Sequence, residues 1–204
     1  MTPVYKLSAN SVKNGRTVYG SMLAGNPAYV LPTDFESIAT VTGTGSNQIL
    51  TFSSIPSTFT HLQIRANLMT SGLGQTTTYG GWIVLNSDTA SNYTDHTVYG
   101  DGASATAYAV VPRANMGIIA YQANPTYSTG NIIDILDYTN TNKFKTLRSF
   151  YGGDSNGSGF VALSSGLWRS TSVITSISLY LNAGFGSHNF TTNATASLYG
   201  IRSA

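Results

Sequence analysis

The chain has 204 residues and a formal net charge of +2, and only 9% of its residues are charged. It contains no cysteine, which excludes a disulfide framework, a thiolate metal site and a thiol nucleophile. The small net charge argues against nucleic-acid or anionic-membrane binding, and no apolar run approaches the roughly 20 residues that span a bilayer. Strand and turn formers dominate, whereas helix formers such as glutamate (Glu36 alone) are scarce, so the composition predicts an all-β protein.

The first 33 residues differ from the rest of the chain. Turn residues recur at Gly15, Gly20, Gly25 and Pro27, so this segment cannot build a core of its own. It has three basic residues and no acid, whereas residues 34–204 have seven basic and eight acidic residues. We predict an extended N-terminal arm that binds a partner, with a solvated, poorly ordered terminus as the alternative. The candidate partner-binding residues are its apolar clusters and its basic side chains: Val4, Tyr5, Lys6, Leu7, Lys13, Arg16, Val18, Tyr19, Met22 and Leu23.

Residues 34–204 show strand signals at regular intervals. Apolar and polar residues alternate cleanly over residues 60–69 and 173–182, as expected for half-buried strands. Residues 131–138 are apolar on both predicted faces, which favours a central strand. The pattern predicts a single domain, a jelly-roll-like antiparallel β-sandwich. Its strands are expected at residues 36–42, 47–53, 60–69, 81–86, 95–99, 106–111, 115–121, 131–138, 145–151, 159–163, 173–182 and 194–201.

Few residues are placed to carry out chemistry. His61, His96 and His188 lie on separate elements without metal-ligand spacing, so we expect no metal and no cofactor. Asp134 and Asp137 are an odd number of residues apart on one predicted strand, so they should point to opposite faces and form no acid/base pair. The protein is therefore not expected to be an enzyme.

Two further patterns have a functional and a structural interpretation. The run DSNGSG at 154–159 matches the first half of a calcium loop, but Ser165 stands where the loop needs a glutamate, so a hairpin turn is favoured. The tryptophans Trp82 and Trp168, together with tyrosines, could stack on sugar rings. Aromatic residues in sandwiches more often belong to the core or to cross-strand pairs.

An ordered series of short segments resembles a known family. The segments are residues 35–40 (FESIAT), 50–57 (LTFSSIPS), 60–65 (THLQIR), 85–88 (LNSD), 91–93 (SNY), 133–138 (IDILDY), 142–143 (NK), 165–168 (SGLW), 174–177 (ITSI) and 197–201 (SLYGI). Together they resemble virion structural proteins of tailed phages that infect cyanobacteria and other aquatic bacteria. The resemblance covers residues 35–202 and implies a sandwich displayed on the particle, in the head or in the tail, without catalytic residues.

These observations lead to an expected function. We expect a capsid decoration, or cement, protein on the outer surface of the virion, made in the host cytoplasm, which stabilises the head by bridging capsid subunits. Its partner would be the major capsid protein or another virion protein, and a homo-oligomer is expected, a trimer rather than a dimer. The alternative is a tail or tail-fibre protein whose sandwich binds a host surface glycan. A glycan-cleaving enzyme is disfavoured because acidic residues are few.

Overall fold

A computed structural model describes residues 34–72, 78–182 and 188–203. The described residues form twelve strands and no helix, and among them no helix has the length and apolarity needed to cross a membrane. The strands are β1 (Phe35–Thr42), β2 (Ile49–Phe52), β3 (His61–Leu68), β4 (Thr78–Leu85), β5 (Tyr93–Gly100), β6 (Ala105–Arg113), β7 (Met116–Gln122), β8 (Thr129–Leu136), β9 (Lys145–Asp154), β10 (Gly159–Trp168), β11 (Ile177–Tyr180) and β12 (Thr195–Ile201).

The strands pair into two antiparallel sheets of unequal size. The larger sheet has eight strands in the order β1-β12-β3-β8-β9-β10-β5-β6, and the smaller has four in the order β2-β11-β4-β7. The two sheets pack face to face, which confirms the predicted all-β antiparallel sandwich. The predicted arm lies outside the described residues.

The core lies between the two sheets and follows the alternation in the sequence. In β3, Leu62, Ile64 and Leu68 are fully buried, whereas Arg65 and Asn67 between them are exposed. Such alternation buries every second side chain of a strand that has one face on the core. The predicted strand over residues 60–69 is therefore confirmed in its orientation as well as its existence.

Strand β8 is central, as predicted, but only one of its faces is covered. It is the fourth of eight strands, and Ile133 and Ile135 on its inner face are fully buried. Ile132, on the opposite face, is 42% exposed. A four-stranded sheet covers one side of the larger sheet only, so the second apolar face of β8 remains at the surface.

An ion pair between a buried carboxylate and a partly exposed arginine connects β5 to β6, and a backbone N–H of β7 joins it. The Asp95 carboxylate, 1% exposed, accepts hydrogen bonds from Arg113 Nη2 at 2.7 and 3.1 Å and from the Gly117 backbone N–H at 3.4 Å. A Cβ atom at Gly117 would overlap the Arg113 guanidinium, so glycine makes room for the pair. Burial raises the pKa of Asp95, although the nearby Arg113 charge acts in the opposite direction.

Strand boundaries differ from the predicted ones where side chains replace strand partners. The predicted strand over residues 173–182 is reduced to β11, and the prediction for residues 173–176 and 181–182 is wrong. The Asn86 side chain accepts hydrogen bonds from the backbone N–H groups of Thr175, at 2.8 Å, and Ser176, at 3.1 Å. The oxygen of a side-chain amide thus accepts hydrogen bonds from backbone N–H groups that would otherwise pair with a neighbouring strand. Strand β10, by contrast, extends five residues beyond its predicted end at residue 163.

Candidate binding surface

The outer face of the larger sheet carries a continuous apolar patch. Its members come from four adjacent strands and are all between 42% and 55% exposed: Val98, Ile132, Phe150, Val161 and Leu163. The strand register places Ile132 opposite Phe150, Phe150 opposite Leu163, and Leu163 opposite Val98. Side chains directly opposite each other on one sheet face are in contact, so these residues form one surface. We call it the apolar patch.

A groove shares part of its lining with the apolar patch, and seven glycines line it, three of them at neighbouring strand positions. Gly130 pairs with Gly152, Gly152 with Val161, and Val161 with Gly100, so three of these four neighbouring positions lack a side chain. A Cβ atom at Gly130 would meet nothing within 4 Å, so the missing side chain leaves open space. This glycine groove has a volume of about 830 Å³. That is within the range of sites that bind small ligands.

Two carboxylates stand at the groove, each held by its own turn. Asp101 Oδ1 accepts hydrogen bonds from the backbone N–H groups of Ser104, at 2.7 Å, and Ala103, at 2.9 Å. These donors hold the pKa of Asp101 below its ordinary value. Asp154 Oδ1 accepts a hydrogen bond from the Gly157 N–H at 2.9 Å. Both side chains line the groove, and Asp101 offers an ionised, fixed acceptor there.

An arginine that packs against two stacked aromatic rings also lines the groove. Arg65 lines the groove, and its guanidinium carbon lies 5.7 Å from the ring centre of Phe35 and 6.0 Å from that of Tyr199. The two rings stack on each other with centroids 4.7 Å apart. Arg65 Nε also donates to Gln63 Oε1 at 3.0 Å. These contacts hold the cation in place, so the groove has a positive charge at one end and carboxylates at the other.

The histidines remain apart in the structure. His96 is exposed, His61 accepts a hydrogen bond from the Asp137 backbone N–H at 2.9 Å, and His188 is buried with Nε2 2.9 Å from the Tyr121 hydroxyl. Burial lowers the pKa of His188. Within the described ranges, no three histidine or carboxylate side chains converge as metal ligands would.

The prediction that Asp134 and Asp137 point to opposite faces is wrong. Strand β8 ends at Leu136, and Asp137 follows it with a left-handed φ of 47°. Gln63 donates to Asp134 at 2.8 Å and His61 lies 3.3 Å from Asp137, so both carboxylates contact one face of β3. The Lys143 ammonium donates to Asp137 and lowers its pKa, so Asp137 is a poor general acid.

The two tryptophans have different environments. Trp168 is 2% exposed, stacks on Tyr93 with ring centroids 6.3 Å apart, and donates from Nε1 to Asp88 at 2.7 Å. It belongs to the core and cannot stack on a sugar. Trp82 is half-buried in β4 and pairs in register with Tyr180.

The calcium-like run forms a hairpin turn between β9 and β10. Asp154 and Gly159 are paired across it, and Asn156 and Gly157 have φ values of 61° and 93°. Left-handed residues at a hairpin tip are the reason for asparagine and glycine at these positions. The structural interpretation of this run is therefore confirmed.

The partner-binding residues predicted in the arm all lie outside the described residues: Val4, Tyr5, Lys6, Leu7, Lys13, Arg16, Val18, Tyr19, Met22 and Leu23. Neither the apolar patch nor the glycine groove was predicted from the sequence. The two-sided apolar pattern of β8 was a signal for the patch. The groove had no signal, because its glycines are far apart in the chain and become neighbours only through strand register.

Comparisons of the chain with protein-family models, curated proteins and solved structures found no match.

Proposed function

We propose that this protein is a structural component of a phage particle, and specifically a decoration protein that binds the outside of the head and bridges capsid subunits. The apolar patch is the observation that carries the proposal. Soluble monomers rarely leave large contiguous apolar patches uncovered, and such patches usually mark protein interaction sites. The partner is the major capsid protein or another virion protein.

The position of the patch suits a rigid contact. Its members lie on strands β5, β8, β9 and β10, which are held on both sides by neighbouring strands. A sheet interior moves little, so binding there costs little ordering of the backbone. The sandwich contributes shape and apolar area, while its low charge makes the contact insensitive to salt.

The arm provides the second attachment in this proposal. Residues 1–33 carry an excess of three positive charges, whereas residues 34–204 have one more acidic than basic residue. An extended segment can follow a partner's surface or add a strand to its sheet. The sandwich and the arm would then contact different capsid subunits, and contact with two subunits is what bridging requires.

Substitutions in the apolar patch should weaken attachment to particles. We expect the double variant Phe150→Ser, Leu163→Ser to bind particles that lack the protein roughly 30-fold more weakly, because about 2 kcal/mol of apolar burial is lost. Co-sedimentation with such particles measures the affinity. Ile49→Ser is the matched control, since Ile49 is 40% exposed on the smaller sheet. Unchanged affinity of the double variant would contradict the proposal.

The same assay tests the arm. A chain that begins at Thr33 should keep the melting temperature of the full chain, because the described core lies wholly after that residue. We expect it to decorate particles far less. If the shortened chain binds as tightly as the full chain, the arm is not an anchor.

The glycine groove favours a second candidate function, a tail or tail-fibre protein that binds a host surface glycan. Phe150, 55% exposed, offers an apolar ring face at the groove, and Asp101 and Asp154 offer acceptors for sugar hydroxyls. An apolar surface with a few fixed polar groups is the usual composition of a ligand site.

Filling the groove should remove any glycan binding without affecting the fold. Gly130→Val places methyl groups in the open space above Gly130, and we expect at least a tenfold loss of signal on an array of bacterial surface polysaccharides. Gly80→Val is the control, because a Cβ atom at Gly80 also meets nothing within 4 Å, on the smaller sheet. Binding that survives Gly130→Val would exclude the groove as the glycan site.

A further inference from the structure

Three of the four sheet edges in the described residues are protected against pairing with another chain. Strand β1 has a register shift between Ser37 and Ala39, and β2 has only four residues. The edge of β7 is covered at Ala120, whose N–H donates to Asn131 Oδ1 at 2.8 Å and whose carbonyl accepts from Asn131 Nδ2 at 3.0 Å. Bulges, short strands and covering groups are the usual means of blocking an edge.

The fourth edge, β6, lacks this protection over most of its length. It has nine residues, none of them buried, and it pairs with β5 on one side. Residues 105–110 (ATAYAV) carry no charge and pair with β5 in a regular register. Pro112 and the register shift between Tyr93 and Asp95 affect only the far end of the strand. A regular, uncharged and exposed edge of β-forming residues is a template for another strand.

We propose that β6 pairs antiparallel with β6 of a second copy of this chain, so that two eight-stranded sheets join across a two-fold axis. Such pairing sets no like charges opposite each other within residues 105–110, because there are none. It also keeps the two Asp101 carboxylates, one just before the start of each β6, at opposite ends of the pair. A parallel arrangement would instead set Asp101 beside the same acid of the other copy. The antiparallel pair avoids this repulsion between like charges and is therefore favoured.

Pairing about a two-fold axis also leaves no free β6 edge, so association stops at two copies. Each copy uses the same edge, so an isologous contact is complete with two subunits. The remaining edge of the larger sheet is β1, whose register shift hinders further addition. This inference goes beyond the particle role, and it favours a dimer over the trimer expected from the sequence.

Charge placed on β6 tests the proposal in the full-length protein. Ala107 is exposed and lies on the outer face beside Val98, so Ala107→Lys and Ala107→Glu change the edge without reaching the core. The mass in solution, measured by analytical ultracentrifugation, should be twice the chain mass of 21.6 kDa for the unchanged protein. Each variant alone should dimerise about tenfold or more weakly, because like charges meet across the axis. An equal mixture of the two should recover the dimer.

Thr42→Lys is the matched control, because it adds the same charge at the exposed end of β1, at the opposite edge of the same sheet. It should leave the dimer unchanged. A monomer or a trimer of the unchanged protein would overturn the proposal, as would a dimer that tolerates Ala107→Lys. If Ala107→Glu stays associated and only Ala107→Lys dissociates, the edge binds a basic segment such as the arm, and the proposal fails. None of these results depends on binding to a particle, so they leave the proposed function to its own test.

Discussion

Replacing Arg113 with methionine is expected to lower the free energy of unfolding by about 3–5 kcal/mol at pH 7, because Asp95 would remain buried without its cation. The Asp95 side chain is fully buried, and Arg113 Nη2 lies 2.7 Å from Oδ2. The Gly117 N–H, at 3.4 Å, is too distant to compensate.

The loss of unfolding free energy in the Arg113→Met variant should decrease as the pH falls. Burial raises the pKa of Asp95, and the variant removes the positive charge that acts against this shift. A carboxyl group whose pKa is higher in the folded state binds its proton there first, so the folded state gains relative stability as the pH falls. The deficit of the variant should therefore be largest near pH 7 and shrink as the pH falls through the raised pKa of folded Asp95 toward the ordinary value of about 3.9.

Urea unfolding at pH 7 and pH 4 measures both effects. Arg148→Met is the control, because Arg148 is exposed on the outer face of β9, and we expect a change within about 0.5 kcal/mol. The double variant Asp95→Asn, Arg113→Met should recover much of the stability, since no buried charge remains. A deficit at pH 4 as large as that at pH 7 would show that the ion pair is not its cause.

Trp168→Ala should cost about 3–5 kcal/mol of unfolding free energy. The indole is 2% exposed and stacks on Tyr93 with an angle of 13° between the rings. Its removal would leave a cavity beside Tyr93, whose hydroxyl bonds to the backbone of Leu85 in the other sheet at 3.0 and 3.1 Å. The contact between the two sheets should therefore loosen at this end.

Trp82→Ala gives the matched comparison, because Trp82 is half-buried in the smaller sheet. We expect Trp82→Ala to lower the free energy of unfolding clearly less than Trp168→Ala does, since the Trp82 side chain buries a smaller apolar area. Thermal and urea unfolding of the two variants measure the difference. Equal losses would contradict the assignment of Trp168 to the core and of Trp82 to a half-buried position.

Local sequence patterns predicted most of the strands and their buried faces. The alternation through Leu62, Ile64 and Leu68 predicted which side chains of β3 are buried, because the period of a strand is two wherever it pairs. The turn residues Asn156 and Gly157 predicted the hairpin between β9 and β10, because their left-handed backbone is a local requirement. The local pattern predicted the wrong side of the sheet for Asp137, because β8 ends at Leu136 and the alternation of faces does not continue past that residue.

What the sequence by itself determined is the class of fold and the approximate position of most strands, both of which follow from composition and local period. The tertiary structure alone decided which apolar faces stay uncovered and which residues become neighbours. Phe150 and Leu163 form part of one patch, and Gly100 and Gly130 line one groove, because strand register joins positions that are distant in the chain. The exposure of β6 likewise follows from its place at the end of an eight-stranded sheet covered by only four strands. Pairing partners and sheet order are non-local, so no window of sequence contains them.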